Sequence, residues 1–290
     1  MTFGMIYTIT SGNMTAKIST MGGELCSFVK DGREYLWQAG DAWNRHAPIL
    51  YPFICSPKDK AYLAGGKQYK MKANHGFARD LEFQLVHIAD DFVVLCLEDN
   101  IETKSQYPYR FKLYVKYCFE NGRLVNSFRV VNPSDKTTYF YLGGHPAFNC
   151  PLDEGLSFDD YYVEYEKSEN VMQYLDGGKE IEILKNDNKI PLTRAIFDND
   201  VIMKDAPNSK AISLKSDKGE SSVTLYYPQS NCIAVWSPTA NDDAKFVCLE
   251  PWTSVPVYCD DEFPDIEKKP HAISLQPGET FDYRYDIEVR

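Results

Sequence analysis

Apolar and polar residues alternate with a period of two along most of this 290-residue chain, and no other feature constrains its fold as strongly. In residues 111–119 every second side chain is large and apolar, and a second alternating run covers residues 124–130. Because successive side chains of a strand point to opposite faces, this alternation indicates half-buried strands. Asn121-Gly122 separates the two runs, and alternation on both sides of Asn-Gly predicts a β-hairpin.

The same pattern recurs from one end of the chain to the other. Strands are predicted over residues 7–10, 14–20 and 24–30, with turns at Ser11-Gly12-Asn13 and Gly22-Gly23. A second hairpin is predicted from residues 211–215 and 221–227 around Lys218-Gly219, and residues 281–289 form a last alternating strand. Frequent turn signals between short strands are typical of a β-sandwich of antiparallel sheets.

Helical periodicity is nearly absent from the sequence. Only three short segments favour a helix, namely residues 48–54, 105–107 and 263–267. The sequence contains no linker, low-complexity tract or convincing internal repeat. We therefore predict an all-β chain with few short helices, folded as a single domain over residues 1–290.

Charge and aromatic content narrow the class of partner. The formal net charge is −11 and there is no basic stripe, which argues against nucleic acid as a partner. A small molecule that is neutral or weakly charged fits this negative net charge better than a polyanion does. Aromatic residues make up 14% of the chain, which suits sheet packing and also the stacking of a ring face on a sugar.

Cysteine usage and hydropathy bear on the cellular compartment. The eight cysteines form no C-x-x-C pair, and several lie inside apolar runs, as Cys96 does. This pattern favours buried thiols in a reducing compartment over a zinc or redox motif. Residues 1–10 lack the pattern of a signal peptide, and no apolar run reaches membrane length. We expect a cytoplasmic protein without a membrane partner, either a monomer or a homodimer paired at a sheet edge.

Two of the five histidines lie in glycine-flanked, loop-like strings. His75 stands in Asn74-His75-Gly76-Phe77-Ala78-Arg79, and His145 stands in Gly143-Gly144-His145-Pro146-Ala147-Phe148. Histidine is the side chain best suited to proton transfer near neutral pH, and glycine beside it allows backbone or a ligand to approach closely. We interpret the strings as proton-transfer loops with room for a ligand. The other three histidines, His46, His87 and His271, are interpreted as structural or solvated.

A histidine that transfers protons needs a partner, and Glu250 is the strongest candidate. Residues 245–252 read as a strand that places Glu250 on the same face as Phe246, Cys248 and Trp252. A carboxylate among apolar groups is a stronger base than one at the surface, because burial disfavours its charged form. A carboxylate base and a histidine acid on opposite sides of a small substrate would catalyse proton transfer.

Two other chemistries stay open from the residues alone. Cys150 lies near His145 in the sequence and could form a Cys-His nucleophilic pair, although no activating third group is evident. A metal site formed by His75, His145 and Glu250 is conceivable, but the sequence has no local His-x-His or His-x-x-x-His spacing. We expect no metal.

Three strings together resemble the aldose 1-epimerase (galactose mutarotase-like) family, and in particular its LacX-like branch. They are residues 75–79, residues 143–148 and Leu249-Glu250-Pro251-Trp252, in the family's order and approximate spacing. Leu36-Trp37 and the string at residues 47–52 match the same branch, so the resemblance covers nearly the whole chain. It implies a galactose mutarotase-like β-supersandwich, an isomerase that needs no cofactor, and a free aldose as the substrate.

The resemblance also implies roles for individual residues. Glu250 would take the proton of the anomeric hydroxyl, and His145 would protonate the ring oxygen. His75 would bind or orient the sugar, with Asn74 and Arg79 beside it. In the string at residues 196–202, Asp200 is the candidate that holds sugar hydroxyls, with Asp198 as the alternative.

The sequence departs from the family pattern near Ser56. Many relatives carry Gly-Arg there, and this arginine faces the sugar, whereas this chain reads Cys55-Ser56-Pro57-Lys58. Arg79 or Lys58 would then supply the missing charge, or the substrate differs. A hexose 6-phosphate, held by Arg45, Lys58 and Arg79, is one alternative substrate. A non-catalytic carbohydrate-binding or sensing protein is the alternative of a different class.

Overall fold

The structure is a computed structural model, which describes residues 4–175, 179–239 and 244–290. Short antiparallel strands dominate it, as the alternating sequence predicts. The strands are β1 Ile6–Ser11, β2 Met14–Ser19, β3 Leu25–Lys30, β4 Arg33–Glu34, β5 Ile49–Leu50, β6 Ala61–Ala64, β7 Lys67–Lys70, β8 Gln84–Ile88, β9 Phe92–Glu98, β10 Lys112–Glu120, β11 Arg123–Val131, β12 Thr138–Phe140, β13 Gly143–Gly144, β14 Ala147–Asn149, β15 Tyr162–Leu175, β16 Lys179–Pro191, β17 Ile202–Asp205, β18 Ala211–Lys215, β19 Val223–Tyr226, β20 Cys232–Trp236, β21 Phe246–Trp252, β22 Ile273–Leu275 and β23 Thr280–Val289.

Helices are few and short, in line with the prediction. The α-helix α1 covers Ile101–Gln106, and Asn100 and Thr103 form a capping box at its start. The 3-10 helices are Lys58–Lys60, Ala78–Asp80, Phe158–Asp160, Arg194–Phe197, Val257–Asp260 and Ile266–Lys268. Within the described residues, none of these helices has the length and apolar character that crossing a membrane requires.

Two of the three predicted helical segments overlap a helix only at their edges, and one is wrong. Residues 105–107 overlap the end of α1, and residues 263–267 overlap the 3-10 helix Ile266–Lys268. Residues 48–54 form no helix and instead contain β5, which pairs with β13. All seven of these residues are buried, so they lack the polar face of an amphipathic helix, and their backbone groups bond to neighbouring strands instead.

Two large sheets form the body of the molecule. One has nine strands in the order β16-β15-β18-β19-β23-β11-β10-β9-β8. The other has the order β17-β20-β21-β13-β5, with β14 also paired to β21. Both predicted hairpins are present, as β10–β11 around Asn121-Gly122 and as β18–β19. Asn121 and Gly122 have φ angles of 52° and 77°, as the two-residue turn of such a hairpin requires.

The two large sheets pack face to face over one extensive core. Tyr285 of β23 reaches across from the nine-stranded sheet and packs against Gly144 of β13. The buried cluster extends from Ile9 near the start of the chain to Val289 near its end. Every residue of β21 is buried, and this strand is internal to its sheet, with β20 on one side and β13 and β14 on the other. The two predicted catalytic residues, His145 and Glu250, lie where β13 and β21 meet.

Candidate active site

Neighbouring strands bring His145 and Glu250 together. Gly143 of β13 pairs with Trp252 of β21, so the residue that follows β13 lies beside the last residues of β21. Nε2 of His145 is 3.1 Å from Oε2 of Glu250, and both side chains are almost completely buried. The two atoms are within ion-pair distance but are not aligned for a hydrogen bond, since Oε2 has no hydrogen-bond partner among the described residues.

The glycines next to the two histidines are needed for packing against the protein's own atoms. A Cβ on Gly143 would lie 2.6 Å from Trp252, and one on Gly144 would lie 2.6 Å from Tyr285. Gly76 has a φ angle of +76°, and a Cβ there would lie 2.1 Å from the Tyr51 carbonyl oxygen. The prediction that these glycines make room for a ligand is therefore wrong, because backbone and aromatic side chains already fill that space.

His75 is held by the backbone of Cys55. Its own N–H donates to the Cys55 carbonyl at 2.9 Å, and the Cys55 N–H donates to its Nδ1 at 3.0 Å. A nitrogen that accepts a backbone N–H carries no proton, so the neutral imidazole carries its proton on Nε2. Burial lowers the pKa of His75 well below its usual range, and His145 and Arg79 lower it further. His75 is therefore a neutral hydrogen-bond donor.

Burial pushes both members of the His145–Glu250 pair toward their neutral forms. It raises the pKa of Glu250 well above its usual range, and the charge of Asp200 raises it further. It lowers the pKa of His145 to about 3, although the backbone of His145 offsets part of this shift. The short contact between the two groups favours the opposite, charged arrangement. The pair can therefore share one proton, which either residue can carry.

The pair opens onto a cavity of about 280 Å³, near the lower end of the range of small-molecule sites, which is about 300–1,000 Å³. All six site residues that the sequence predicts line this cavity. The full lining is Trp43, Cys55, Asn74, His75, Arg79, His145, Asp200, Val201, Trp236, Glu250 and Trp252.

Of the cations considered for the missing arginine, Arg79 is the one that reaches the cavity. Its Nε is buried and has no hydrogen-bond partner among the described residues, and burial together with Arg45 lowers its pKa to about 10. Arg45 instead forms an ion pair with Asp80 at 2.6 Å. Lys58 begins an exposed 3-10 helix outside the cavity lining.

The structure also separates Asp200 from Asp198. Both residues are exposed, but only Asp200, whose φ angle is 70°, lines the cavity, and Asp198 lies outside the lining. Oδ1 of Asp200 accepts a hydrogen bond of 2.9 Å from Nε1 of Trp236. The buried Gln173 amide donates to the carbonyls of residues 199, 200 and 201 at 3.1 to 3.4 Å, which holds the turn in place.

Several residues of the site have no motif that could have identified them. Trp43 lies in an irregular loop and Trp236 ends β20, yet their rings lie 5.9 Å apart beside His145. Gln173 is the twelfth residue of the long strand β15 and acts through backbone carbonyls. In a chain with 20 tyrosines and 16 phenylalanines, one more aromatic side chain gives no signal of a site.

The two other chemistries that the sequence left open are a Cys-His nucleophilic pair and a metal site, and they fit the structure differently. Cys150 is fully buried outside the cavity lining, and burial raises the pKa of its thiol above its usual range, so it is not placed as a nucleophile. For a metal, His145, Cys248 and Glu250 have ligand atoms that all lie within 4.8 Å of one another. Nitrogen, sulfur and carboxylate donors suit zinc, but two of the three are the His145–Glu250 pair, which can instead share a proton.

Comparison with known proteins agrees with the family resemblance that the sequence motifs indicate. The family model described as aldose 1-epimerase matches residues 5–288. Protein LacX, chromosomal, from Lactococcus lactis subsp. lactis is 31% identical over 296 aligned positions, which cover 95% of this chain and 96% of that protein.

Solved structures share the fold along the whole chain. A galactose mutarotase related enzyme from Lactobacillus acidophilus has a TM-score of 0.92 and 31% identity, covering 99% of this chain and 97% of that one. A galactose mutarotase-like protein from Lactobacillus casei ATCC 334 has a TM-score of 0.89 and 30% identity, covering 99% and 100%. The all-β architecture is therefore the galactose mutarotase-like fold.

Proposed function

Because this chain belongs to the aldose 1-epimerase family, we propose that it is a mutarotase, an isomerase that interconverts the α and β anomers of a free hexose such as galactose or glucose. One observation carries the proposal. A carboxylate and an imidazole lie 3.1 Å apart at a small cavity, nearly free of solvent contact. A binding protein would gain nothing from two buried groups that can exchange a proton, whereas ring opening requires such a pair.

Ring opening moves two protons and breaks one bond. The Glu250 carboxylate takes the proton of the anomeric hydroxyl, and the electrons of that O–H bond form the carbonyl. The bond between the anomeric carbon and the ring oxygen breaks, and the ring oxygen takes a proton from His145. Rotation of the aldehyde followed by the reverse steps closes the ring with either configuration, so atoms and charges balance over the cycle.

The shared proton explains how buried groups can perform this chemistry. Before reaction the proton must reside on His145, although burial alone disfavours the imidazolium. The Glu250 carboxylate offsets that penalty because its Oε2 lies 3.1 Å from Nε2 of His145. After ring opening Glu250 holds a proton, a state that its raised pKa favours. The two opposite shifts therefore assist the forward transfer and keep both residues ready for the reverse one.

The remaining lining residues would bind the sugar. His75 offers a neutral N–H donor, and Asp200 offers a carboxylate oxygen at the cavity. The Nε of Arg79 is buried and has no hydrogen-bond partner among the described residues, so it can donate to a sugar oxygen. Asn74 is more exposed, and its Oδ1 already accepts a hydrogen bond from Ser56 at 3.0 Å. It would contribute at the rim of the cavity.

The charges of the lining favour a sugar without phosphate. Arg79 lines the same cavity as the acids Asp200 and Glu250, while Arg45 and Lys58 lie outside the lining. A phosphate group would then meet a single arginine beside two carboxyl groups. We also propose that the whole chain works as one domain, since a single buried cluster joins its two ends.

Polarimetry of freshly dissolved α-glucose and α-galactose tests the proposal. The protein should accelerate the approach to the equilibrium rotation, and His145→Asn and Glu250→Gln should each abolish most of this acceleration. His87→Asn and Glu220→Gln change the same residue types at exposed positions away from the cavity, so they should leave the rate unchanged.

The results of these assays distinguish a mutarotase of free hexoses from a mutarotase of phosphorylated sugars and from a carbohydrate-binding protein. No acceleration over buffer across a panel of aldoses would refute the mutarotase. Acceleration with glucose 6-phosphate and not with glucose would point to the phosphorylated substrate. Binding of a sugar in calorimetry without any effect on its rate of mutarotation would support the carbohydrate-binding protein.

A further inference from the structure

The indole of Trp43 covers one face of the His145 imidazole. The ring centroids are 5.0 Å apart and the planes differ by 27°, so the two rings are stacked. Two other rings meet His145 nearly edge-on, His75 at 5.4 Å and 87° and Trp236 at 5.9 Å and 81°. Aromatic rings therefore enclose the imidazole.

Trp43 is itself held firmly. Nε1 of Trp37 donates a hydrogen bond of 2.8 Å to the Trp43 carbonyl. The Trp43 ring stacks on Phe246 of β21 at 5.6 Å and 23°, and Phe246 in turn contacts Trp37 at 4.8 Å. The stack is thus anchored on the same strand that carries Glu250. A ring fixed in this way can hold the ring stacked on it.

His145 lacks the usual device that orients a functional histidine. That device is a hydrogen bond from one ring nitrogen to a carboxylate or carbonyl, which leaves the other nitrogen to react. Nδ1 of His145 is buried and has no hydrogen-bond partner within the described parts of the chain. The plane of its ring must therefore be set by packing.

Apart from its own backbone, the groups around His145 give its charged form little support. Glu250 is the acid in contact with it, and the neutral Cys248 thiol lies close by. Arg79 and Arg45 both disfavour a positive charge on its imidazole. The face of an indole attracts a cation within about 6 Å of its centroid, and the imidazole lies inside that distance.

From this geometry we propose that Trp43 is a positioning residue for proton transfer, whose indole face both orients the imidazole of His145 and stabilises its imidazolium form. The proposal rests on the mutarotase activity proposed above only for its kinetic consequences. The stabilisation of the charged imidazole by the indole face can be measured without a substrate, as a change in the titration of His145.

The test compares Trp43→Leu with Trp43→Phe. The leucine variant fills the space without a π-face, whereas the phenylalanine variant keeps one. Trp43→Leu should lower kcat about 2- to 30-fold, the range that a cation–π contact supports, and Trp43→Phe should recover most of that loss. Since the imidazolium loses its proton more readily without the indole, the alkaline limb of the pH profile of kcat should move to lower pH in Trp43→Leu.

A titration of the imidazole nitrogens by NMR provides a readout that needs no activity. The His145 signals are identified by their loss in His145→Asn. They should titrate at lower pH in Trp43→Leu than in the unsubstituted protein, with Trp43→Phe between the two. An unchanged titration, or a lower kcat with an unmoved pH limb, would overturn the proposal. If the unsubstituted protein lacks mutarotase activity, the proposed function fails and the titration alone decides this inference.

Discussion

The backbone N–H of Cys55 donates to Nδ1 of His75 at 3.0 Å, and this hydrogen bond fixes which nitrogen of His75 can act on a ligand. The proton of the neutral ring is left on Nε2. The two histidines of the site therefore differ in character, since His75 is locked as a donor while His145 lies beside a carboxyl group with which it can exchange a proton.

The first prediction concerns His75 as a binding group. His75→Ala should lower kcat/KM about 5- to 150-fold, because leaving a buried hydrogen-bond partner unsatisfied costs about 1–3 kcal/mol. The pKa of His75 lies well below its usual range, so its ring stays neutral at and above neutral pH and the loss should be the same across that range. Initial rates from polarimetry at several pH values measure this. A loss that varies with pH above neutrality would show that His75 titrates in the reaction.

The second prediction separates two neighbouring aspartates. Asp200→Asn should raise KM about 10-fold or more, since a hydrogen bond to a charged group is worth about 1.5–3 kcal/mol. Asp198→Asn should leave KM unchanged because Asp198 lies outside the cavity lining. Steady-state kinetics on both variants provide the comparison. An equal effect of both substitutions would show that the turn, and not the Asp200 carboxylate, matters.

The third prediction is that a substitution that stops catalysis makes the protein more stable. The pKa of Glu250 is raised above its ordinary value of 4.5 by burial, so above pH 4.5 the unfolded chain gives up this proton more readily than the folded one. Stability therefore falls as pH rises from there through the folded pKa. Glu250→Gln removes this penalty and should raise Tm at pH 7 by about 2–4 °C for each kcal/mol recovered.

Thermal unfolding at pH 5 and pH 8 tests the sign of this effect. The advantage of Glu250→Gln over the unsubstituted protein should be larger at pH 8, where the unfolded carboxyl is ionised. Glu220→Gln, at an exposed position, should show no such pH dependence. A Glu250→Gln variant that is less stable at both pH values would mean that the carboxylate stabilises the fold.

The fourth prediction compares two glycines with the same backbone angle. Gly76 has φ = +76° and Gly278 has φ = +77°, but only the first is crowded, with the Tyr51 carbonyl oxygen 2.1 Å from an added Cβ. Gly278→Ala should cost about 1–2 kcal/mol, the penalty of a left-handed conformation. Gly76→Ala should cost clearly more and displace His75. Denaturant unfolding measures both, and equal costs would contradict the packing argument.

Parts of the site could be predicted from the sequence because their signals are local. Alternation predicted the strand that contains Glu250, and β21 covers Phe246–Trp252. Asn-Gly between two alternating runs predicted the β10–β11 hairpin. The glycine-flanked histidines marked the two loops that meet at the cavity, although the glycines serve packing against Tyr51, Trp252 and Tyr285.

Other parts depend on contacts between distant segments. Trp43 and His145 are about a hundred positions apart in the sequence, and nothing local to either predicts that their rings stack at 5.0 Å. The choice of Arg79 over Lys58 follows from which side chain the packed loops direct into the cavity. The failed helix at residues 48–54 has the same cause, since a fully buried segment takes the structure that its neighbours in the sheet allow.

The sequence by itself determined the fold class and the chemical groups, because strand alternation, turn residues and the three family strings are properties of short segments. The tertiary structure alone decided the 3.1 Å contact of His145 with Glu250, the fixed tautomer of His75 and the indole stacked on His145. The physical reason is that protonation states and ring orientations depend on burial and on neighbours brought together across the two sheets. Those neighbours exist only once the chain has folded.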